Sequence, residues 1–403
     1  MMSYKLSIHR VIIFYVVVVL TLFDMLNGYM VIAKIIPDNG LASPSQIGRL
    51  FAILILFFFV IYKRLSAKWV YGLVYLTCIE IYGAYLHGNP AGFLFGLVNI
   101  SKLLYLYLVY LVIIDYLESD YQSGLSYIGW TIKINLVIIS FSLIFSTITG
   151  LGNSTYSFGF GTKSFFASGN GLGLYIGVMT LISIYLRREN LYKNIGLITL
   201  LLISASISLI GTKAALIFSI VCIINVVAIS RYRFMAFTLL ILMLLFGGGY
   251  YLIDVFNLFF DVVVKRYNND PSLVKFLGSG RFDYVTNAFN ELFSQADAIF
   301  RLIYGSGAFL SFQVPKSTVG YDTLETDFFD ILFMYGFVGV ISLMFVYFYV
   351  LFKVKRILIL SIAGVLCFSH SLIAGHVIFN GMSSLCVVIL LVLSQTAFER
   401  DCN

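Results

Sequence analysis

Charged side chains are scarce in this chain. Asp, Glu, Lys and Arg make up 11% of its 403 residues, against 60% hydrophobic ones; a soluble globular domain carries about 25%. That deficit excludes a soluble fold and leaves a polytopic membrane protein. Of five cysteines, Cys78, Cys222, Cys367 and Cys386 lie inside apolar runs and Cys402 sits in the C-terminal tail, so neither a disulfide framework nor metal-ligand spacing is present. Nucleotide-binding signatures are also missing: neither a Walker-type loop nor a Gly-x-Gly-x-x-Gly turn occurs in a strand-turn-helix context. No His-Glu-x-x-His and no Asp-x-Asp occurs. His370 and His376, six apart, do not share a helical face as metal ligands. Neither a metal nor another cofactor is expected. A cleavable signal peptide is not expected either, because the first apolar run, Val11 to Ala33, is too long and lacks a small-residue cleavage site.

What is present in abundance is apolar sequence in runs long enough to cross a bilayer, for which a helix needs about 20 residues. Twelve such runs lie near 11–33, 47–62, 69–86, 91–114, 127–149, 168–186, 194–210, 212–230, 234–253, 327–352, 357–375 and 378–397. The expected fold is therefore an all-α polytopic membrane protein with about twelve transmembrane helices. Its parts are 1–253 (spans 1 to 9), a large helical loop at 254–326, and 327–403 (spans 10 to 12 and a short tail). Two pairs of runs are joined by almost no linker, with Gly211 and Gly375-His376 as the turns. Lys and Arg gather in alternate connections: Lys5/Arg10, Lys63/Arg64/Lys68, Arg187/Arg188/Lys193, Arg231/Arg233, Lys353/Lys355/Arg356 and Arg400. By the positive-inside rule both termini are cytoplasmic and the long loop is external. The acidic turn Asp115 to Asp120 alone breaks this pattern. No cytoplasmic segment exceeds about a dozen residues, so an energy-rich substrate has to arrive already in the membrane.

The formal net charge of +7 does not point to nucleic acid. Between Asp254 and Asp330 six basic residues face ten acidic ones, a balance of −4, which leaves +11 for the rest, mostly as clusters between spans. Charge placed that way reports topology. Within the loop, Phe282, Val285, Phe289, Leu292, Phe293, Ala296 and Phe300 recur at helical spacing and predict an amphipathic helix of about 20 residues. Gly278-Ser279-Gly280 precedes it and Gly305-Ser306-Gly307 follows it, both expected as flexible turns. Asp254 to Asn268 is expected to lie at the membrane interface.

Chemistry is expected in a few places. Arg281 opens the loop helix, where unsatisfied N–H groups and a bidentate guanidinium suit phosphate oxygens; pairing with Asp283 is the plainer account. Glu325, Asp327 and Asp330 cluster where the loop re-enters the membrane, and Glu325 or Asp327 there would serve as a general base; helix capping is the plainer account. Asp24, Glu80, Lys102 and Lys213 are ionisable groups at membrane depth, which are costly and commonly functional. Glu80 and Lys102 are close enough in depth to pair, and Lys213 is placed to meet an anionic lipid phosphate.

These residues carry a resemblance. About twelve spans, a large external loop between late spans, the Gly278-Ser279-Gly280-Arg281 turn, Gly305-Ser306-Gly307, and an acidic-aromatic re-entry ending in Tyr335-Gly336-Phe337-Val338-Gly339 resemble the bacterial O-antigen polymerases and related ligases. The resemblance implies a metal-independent glycosyltransferase in the inner membrane, its loop periplasmic, that joins oligosaccharide repeat units carried on undecaprenyl diphosphate. By that resemblance Arg281 would bind diphosphate and stabilise its departure, assisted by Lys213, Arg266 and Lys102, and Glu325 or Asp327 would activate the acceptor hydroxyl. Membrane lipids and a chain-length regulator are the implied partners, with no nucleic acid. Gly211-Thr212-Lys213 stands where ligases tend to have Ser-Arg, and Glu325 where they carry a histidine, which favours polymerase. A ligase, a lipid-linked oligosaccharide flippase or transporter, and a cell-wall glycan polymerase are the alternatives. Transporters show repeated halves, and none is visible here.

Overall fold

The computed structural model describes residues 7–36, 43–156, 161–230, 281–312 and 323–402. The expected ninth span, the interfacial segment Asp254 to Asn268, the Gly278-Ser279-Gly280 turn and Arg266 lie outside the described residues. Helices dominate because a backbone in hydrocarbon has to pair its own N–H and C=O groups. In chain order they are α1 (Ile8–Ile32), α2 (Pro44–Tyr62), α3 (Trp69–His87), α4 (Gly92–Ser119), α5 (Tyr121–Thr149), α6 (Gly169–Arg188), α7 (Leu197–Ser208) and α8 (Lys213–Ala228), then α9 (Arg281–Phe293), α10 (Ala298–Tyr304), α11 (Gly307–Phe312), α12 (Asp327–Val354), α13 (Leu358–Ile373) and α14 (Ser384–Cys402). A small antiparallel pair, β1 (Asn153–Ser154) and β2 (Thr162–Ser164), sits between α5 and α6.

Seven of the described helices, α1 to α6 and α12, are long and apolar enough to cross a membrane. The expectation of a full-length span in every apolar run needs correction. The helix α7 has 12 residues, and α8 and α13 have 16 each. At 1.5 Å per residue these reach about 18 and 24 Å, short of a hydrocarbon core of about 30 Å. Hydropathy counts the turn residues at the ends of a run, and the backbone does not. The turns themselves fall where expected, at Gly211 (φ 76°) and at Gly375 and His376 (φ 57° and 58°). Residue chemistry also explains the acidic turn between α4 and α5. The Asp120 side chain accepts from the N–H of Ser123 (3.1 Å) and caps α5. The Asp115 carboxylate meets His9 at 2.7 Å and Lys63 at 3.7 Å.

The almost wholly buried α6 is the axis of the bundle, with α5, α7, α8 and α13 packed around it. Small residues allow this: Gly173 lies against Ala215 and Gly177 against the ring of Phe218. The wider turn at Tyr15–Val19 in α1 leaves the Val17 carbonyl available, and buried Asn135 of α5 donates to it (2.6 Å) while also reaching Thr21 and Tyr175.

Loop residues 281–312 do not form one amphipathic helix with flexible flanks. The chain bends at Ser294–Asp297, where the Ser294 hydroxyl donates to the Glu291 carbonyl (2.6 Å) and Asp297 takes Tyr82 (3.0 Å) and Arg301 (2.8 Å). The helices α9 and α10 result. Gly305-Ser306-Gly307 is no flexible turn either. It leads α11 into a groove between α3 and α4, where a Cβ at Gly83 would overlap the Ser306 carbonyl and one at Gly92 the Phe309 ring. There Glu80 accepts from the N–H of Ala308 (2.9 Å) and from the Tyr335 hydroxyl (2.9 Å). The expected Glu80–Lys102 pair is therefore absent, because Glu80 terminates the backbone of a buried helix. Directly opposite, α12 is broken at Gly336 (φ 64°, ψ −168°). The backbones of Gly305 and Gly336 approach so closely that a Cβ on either would strike the other strand of chain. A single hydroxyl, that of Tyr75, lies 2.9 and 3.0 Å from the carbonyls of Tyr304 and Tyr335 at these breaks.

Candidate functional site

The helices alternate in direction, so one end of the bundle collects the ends of α1, α3, α5, α7 and α13 and the starts of α2, α4, α6, α8, α12 and α14. A cavity of about 460 Å³ lies at this end. Two helix N-termini meet there. The Ser168 hydroxyl accepts from the N–H of Gly171 (3.3 Å) at the head of α6, and the Thr212 hydroxyl accepts from that of Ala215 (3.2 Å) at the head of α8. Each cap satisfies one donor of its first turn and leaves the positive end of the helix dipole facing the cavity. Arg281, the first residue of α9, completes the wall.

Three basic side chains converge on this space: Lys163, Lys213 and Arg281. Lys163 donates to the Ala167 carbonyl (3.1 Å), which folds its stem along the first turn of α6. The Arg281 side chain is only 10% exposed. Its Nε (3.0 Å) and Nη2 (2.7 Å) both donate to one oxygen of Glu325, and among the described residues Nη1 and the other carboxylate oxygen have no hydrogen-bond partner. Glu325 holds a left-handed backbone (φ 57°), uncommon for a residue with a Cβ. Close packing of Gly375 onto the Glu325 carbonyl keeps it there. Such local strain is concentrated at sites where a side chain has to be aimed.

His370 lines the same cavity. It is 6% exposed, packs beside Phe218, and its Nε2 has no hydrogen-bond partner among the described residues. A buried, unpaired imidazole nitrogen costs free energy unless a ligand or water satisfies it. His376, in the turn before α14, is kept below the ordinary histidine range chiefly by burial; Glu325 pulls it up and Arg281 pushes it down.

The structure brings two of the expected site residues together in this cavity, Arg281 and Lys213, and sets Glu325 behind Arg281. It places Asp327 elsewhere. That carboxylate is 1% exposed and accepts from the Ser371 hydroxyl (2.8 Å) and the Val377 N–H (3.0 Å), tying α12 to the turn before α14. Asp330 accepts from the Leu324 N–H (2.8 Å) and the Thr323 hydroxyl (2.9 Å). Both acids are held in structural hydrogen bonds. Lys102 lies in a different cavity, with Asp24 and Arg49. Metal ligation has no support among the described residues, which contain no group of three or more His, Cys, Asp or Glu able to hold an ion.

Two wall residues escaped the sequence reading. Lys163 was legible in principle: it sits in a Gly-, Ser- and Asn-rich connection between α5 and α6, long for a helix–helix link. His370 carries no such signal, since its neighbours in sequence are those of any apolar span. In comparisons with known proteins, no family model matches the chain and no curated protein matches its sequence.

Proposed function

We propose that the chain is a glycosyltransferase of the bacterial inner membrane, an O-antigen polymerase that joins oligosaccharide repeat units carried on undecaprenyl diphosphate. One observation carries this reading. Three basic side chains and two helix N-termini face one cavity at the loop end of an apolar bundle, an arrangement suited to a lipid-linked diphosphate. Ile217 and Ile373 line the same cavity and are exposed on the bundle surface, which supports lateral access for a prenyl chain. In this reading twelve crossings place both termini in the cytoplasm and the cavity in the periplasm. The short helices cross where the bilayer thins, at a modest free-energy cost.

The geometry supports the following roles. Arg281, Lys213 and Lys163 bind the donor diphosphate and take up the charge that develops as it leaves. The bond from the anomeric carbon to the diphosphate oxygen breaks, the acceptor hydroxyl oxygen bonds to that carbon, and its proton passes to a base. Glu325 holds the Arg281 guanidinium through two hydrogen bonds to one carboxylate oxygen, so its role is to aim that side chain. His370 lines the cavity, its buried Nε2 has no hydrogen-bond partner among the described residues, and it is the candidate proton acceptor. Asp327 has no part in the step.

Deletion of the gene followed by a gel of surface glycan tests the assignment. A core capped by a single repeat unit is the expected result. Bare core with accumulated lipid-linked polymer would make the chain a ligase, and lipid-linked units trapped in the cytoplasmic leaflet would make it a flippase.

A further inference from the structure

A second cavity, of about 350 Å³, adjoins the first at Ser168, which lines both. Its charged groups are Asp24, Arg49 and Lys102. Two of them cancel. The Arg49 guanidinium donates to both oxygens of Asp24 at 2.7 Å, and the Ser45 hydroxyl donates to the same carboxylate at 2.6 Å. Lys102 is left over. Its ammonium donates to the Asn99 side chain (3.2 Å) and lies 6.0 Å over the Phe379 ring, and it has no carboxylate partner among the described residues. An ammonium has three donors, and here one is used. Tyr105 (2% exposed), Ser384 (1% exposed) and Asn27 also line the cavity, and the two hydroxyls and the Asn27 side-chain oxygen, all buried, have no hydrogen-bond partner among the described residues. Buried groups of this kind are costly to leave unpaired. Three helices, α1, α4 and α14, contribute them, so no local backbone motif accounts for the set.

We propose that this cavity binds an acidic sugar, with its carboxylate on Lys102 and its hydroxyls on Tyr105, Ser384 and Asn27. A neutral sugar would leave the Lys102 charge uncompensated. A bare phosphate would answer that charge but leave the scattered hydroxyl and amide groups unpaired. A ring carrying both one anion and several hydroxyls answers both needs. The volume suits a small ligand, near the lower end of the roughly 300–1,000 Å³ typical of such sites. Because Ser168 joins the cavities, a glycan seated here would offer its neighbouring sugar to the larger one. The binding claim rests on this cavity alone and stands whether or not transfer occurs next door.

The test uses the full chain in lipid nanodiscs, with binding of methyl glucuronoside followed by saturation-transfer NMR and calorimetry. Methyl glucoside serves as the neutral control and inorganic phosphate as the competitor. Saturable glucuronoside binding is expected, weaker by about tenfold or more for the glucoside and for Lys102→Gln. Lys102→Arg, which keeps the charge, should stay within a few-fold of wild type. Each variant is first checked for an unchanged melting profile; if Lys102→Gln misfolds, the Lys102→Arg and glucoside comparisons decide. Equal binding of both glycosides, no binding, or displacement by phosphate at similar concentration would each overturn the proposal, the last making this a lipid-headgroup site.

Discussion

Arg281 and Glu325 form a pair whose members do different things, and substitution separates them. Removing the guanidinium deletes charge-assisted hydrogen bonds of about 1.5–3 kcal/mol, so Arg281→Ala should reduce polymer per cell at least tenfold while the protein remains inserted. Glu325→Gln keeps an oxygen that can accept from the guanidinium. If Glu325 only aims Arg281, this variant retains a measurable fraction of polymer; total loss would return the base to Glu325. His370→Gln should lower the rate about 10²–10⁴-fold, the usual range for a lost acid–base group, in an assay with lipid-linked repeat units. His376 carries a pH signature. Its folded pKa lies below the ordinary value of about 6.5, so the neutral form is bound more favourably in the fold. Stability from this group is present above pH 6.5 and is lost as pH falls, with a slope of at most about 1.4 kcal/mol per pH unit. His376→Asn, which tolerates the left-handed backbone, should flatten the decline seen in a thermal melt between pH 7 and 5.

Among the elements, α11 and the break in α12 form one device. Each interrupts regular helix inside an apolar bundle, and freed backbone groups are answered by Glu80 and Tyr75, with the Tyr335 hydroxyl donating to the Glu80 carboxylate. That accounting makes Glu80 structural, although its depth alone invites a catalytic role. Glu80→Ala would strand the Ala308 N–H and the Tyr335 hydroxyl, costing about 2–4 kcal/mol, whereas Glu80→Gln retains an acceptor and should cost less than half as much. Detergent-resistant folded protein on size exclusion, read against temperature, distinguishes the two. A catalytic Glu80 would instead give Glu80→Gln a normal melt and no polymer.

For the whole molecule the informative quantity is sidedness. With the larger cavity on the periplasmic face, a single cysteine placed at Lys163 in an otherwise cysteine-free protein should react with a membrane-impermeant maleimide in intact spheroplasts. A cysteine at Arg188, at the opposite end of α6, should react only after lysis. The reverse pattern would remove the periplasmic assignment and with it the polymerase reading.

Much of this was legible beforehand. Hydropathy alone sets the helical membrane class, because continuous apolar runs of about 20 residues suit a spanning helix, whereas the strands of a membrane barrel alternate apolar and polar residues. Turn residues such as Gly211 and Gly375 follow from residue chemistry read in place, and so does the choice of Arg281 and Lys213 as candidates, which line one cavity. Hydropathy overstates the short helices, since it cannot see where the backbone turns. Tertiary structure decided the partners. Glu80 and Ala308 are 228 residues apart, and Arg281 and Glu325 are 44 apart; no local pattern encodes either meeting. The same holds for His370 and the cavity around Lys102. An apolar stretch shows that a polar group is buried, but which groups face it depends on how all the helices pack.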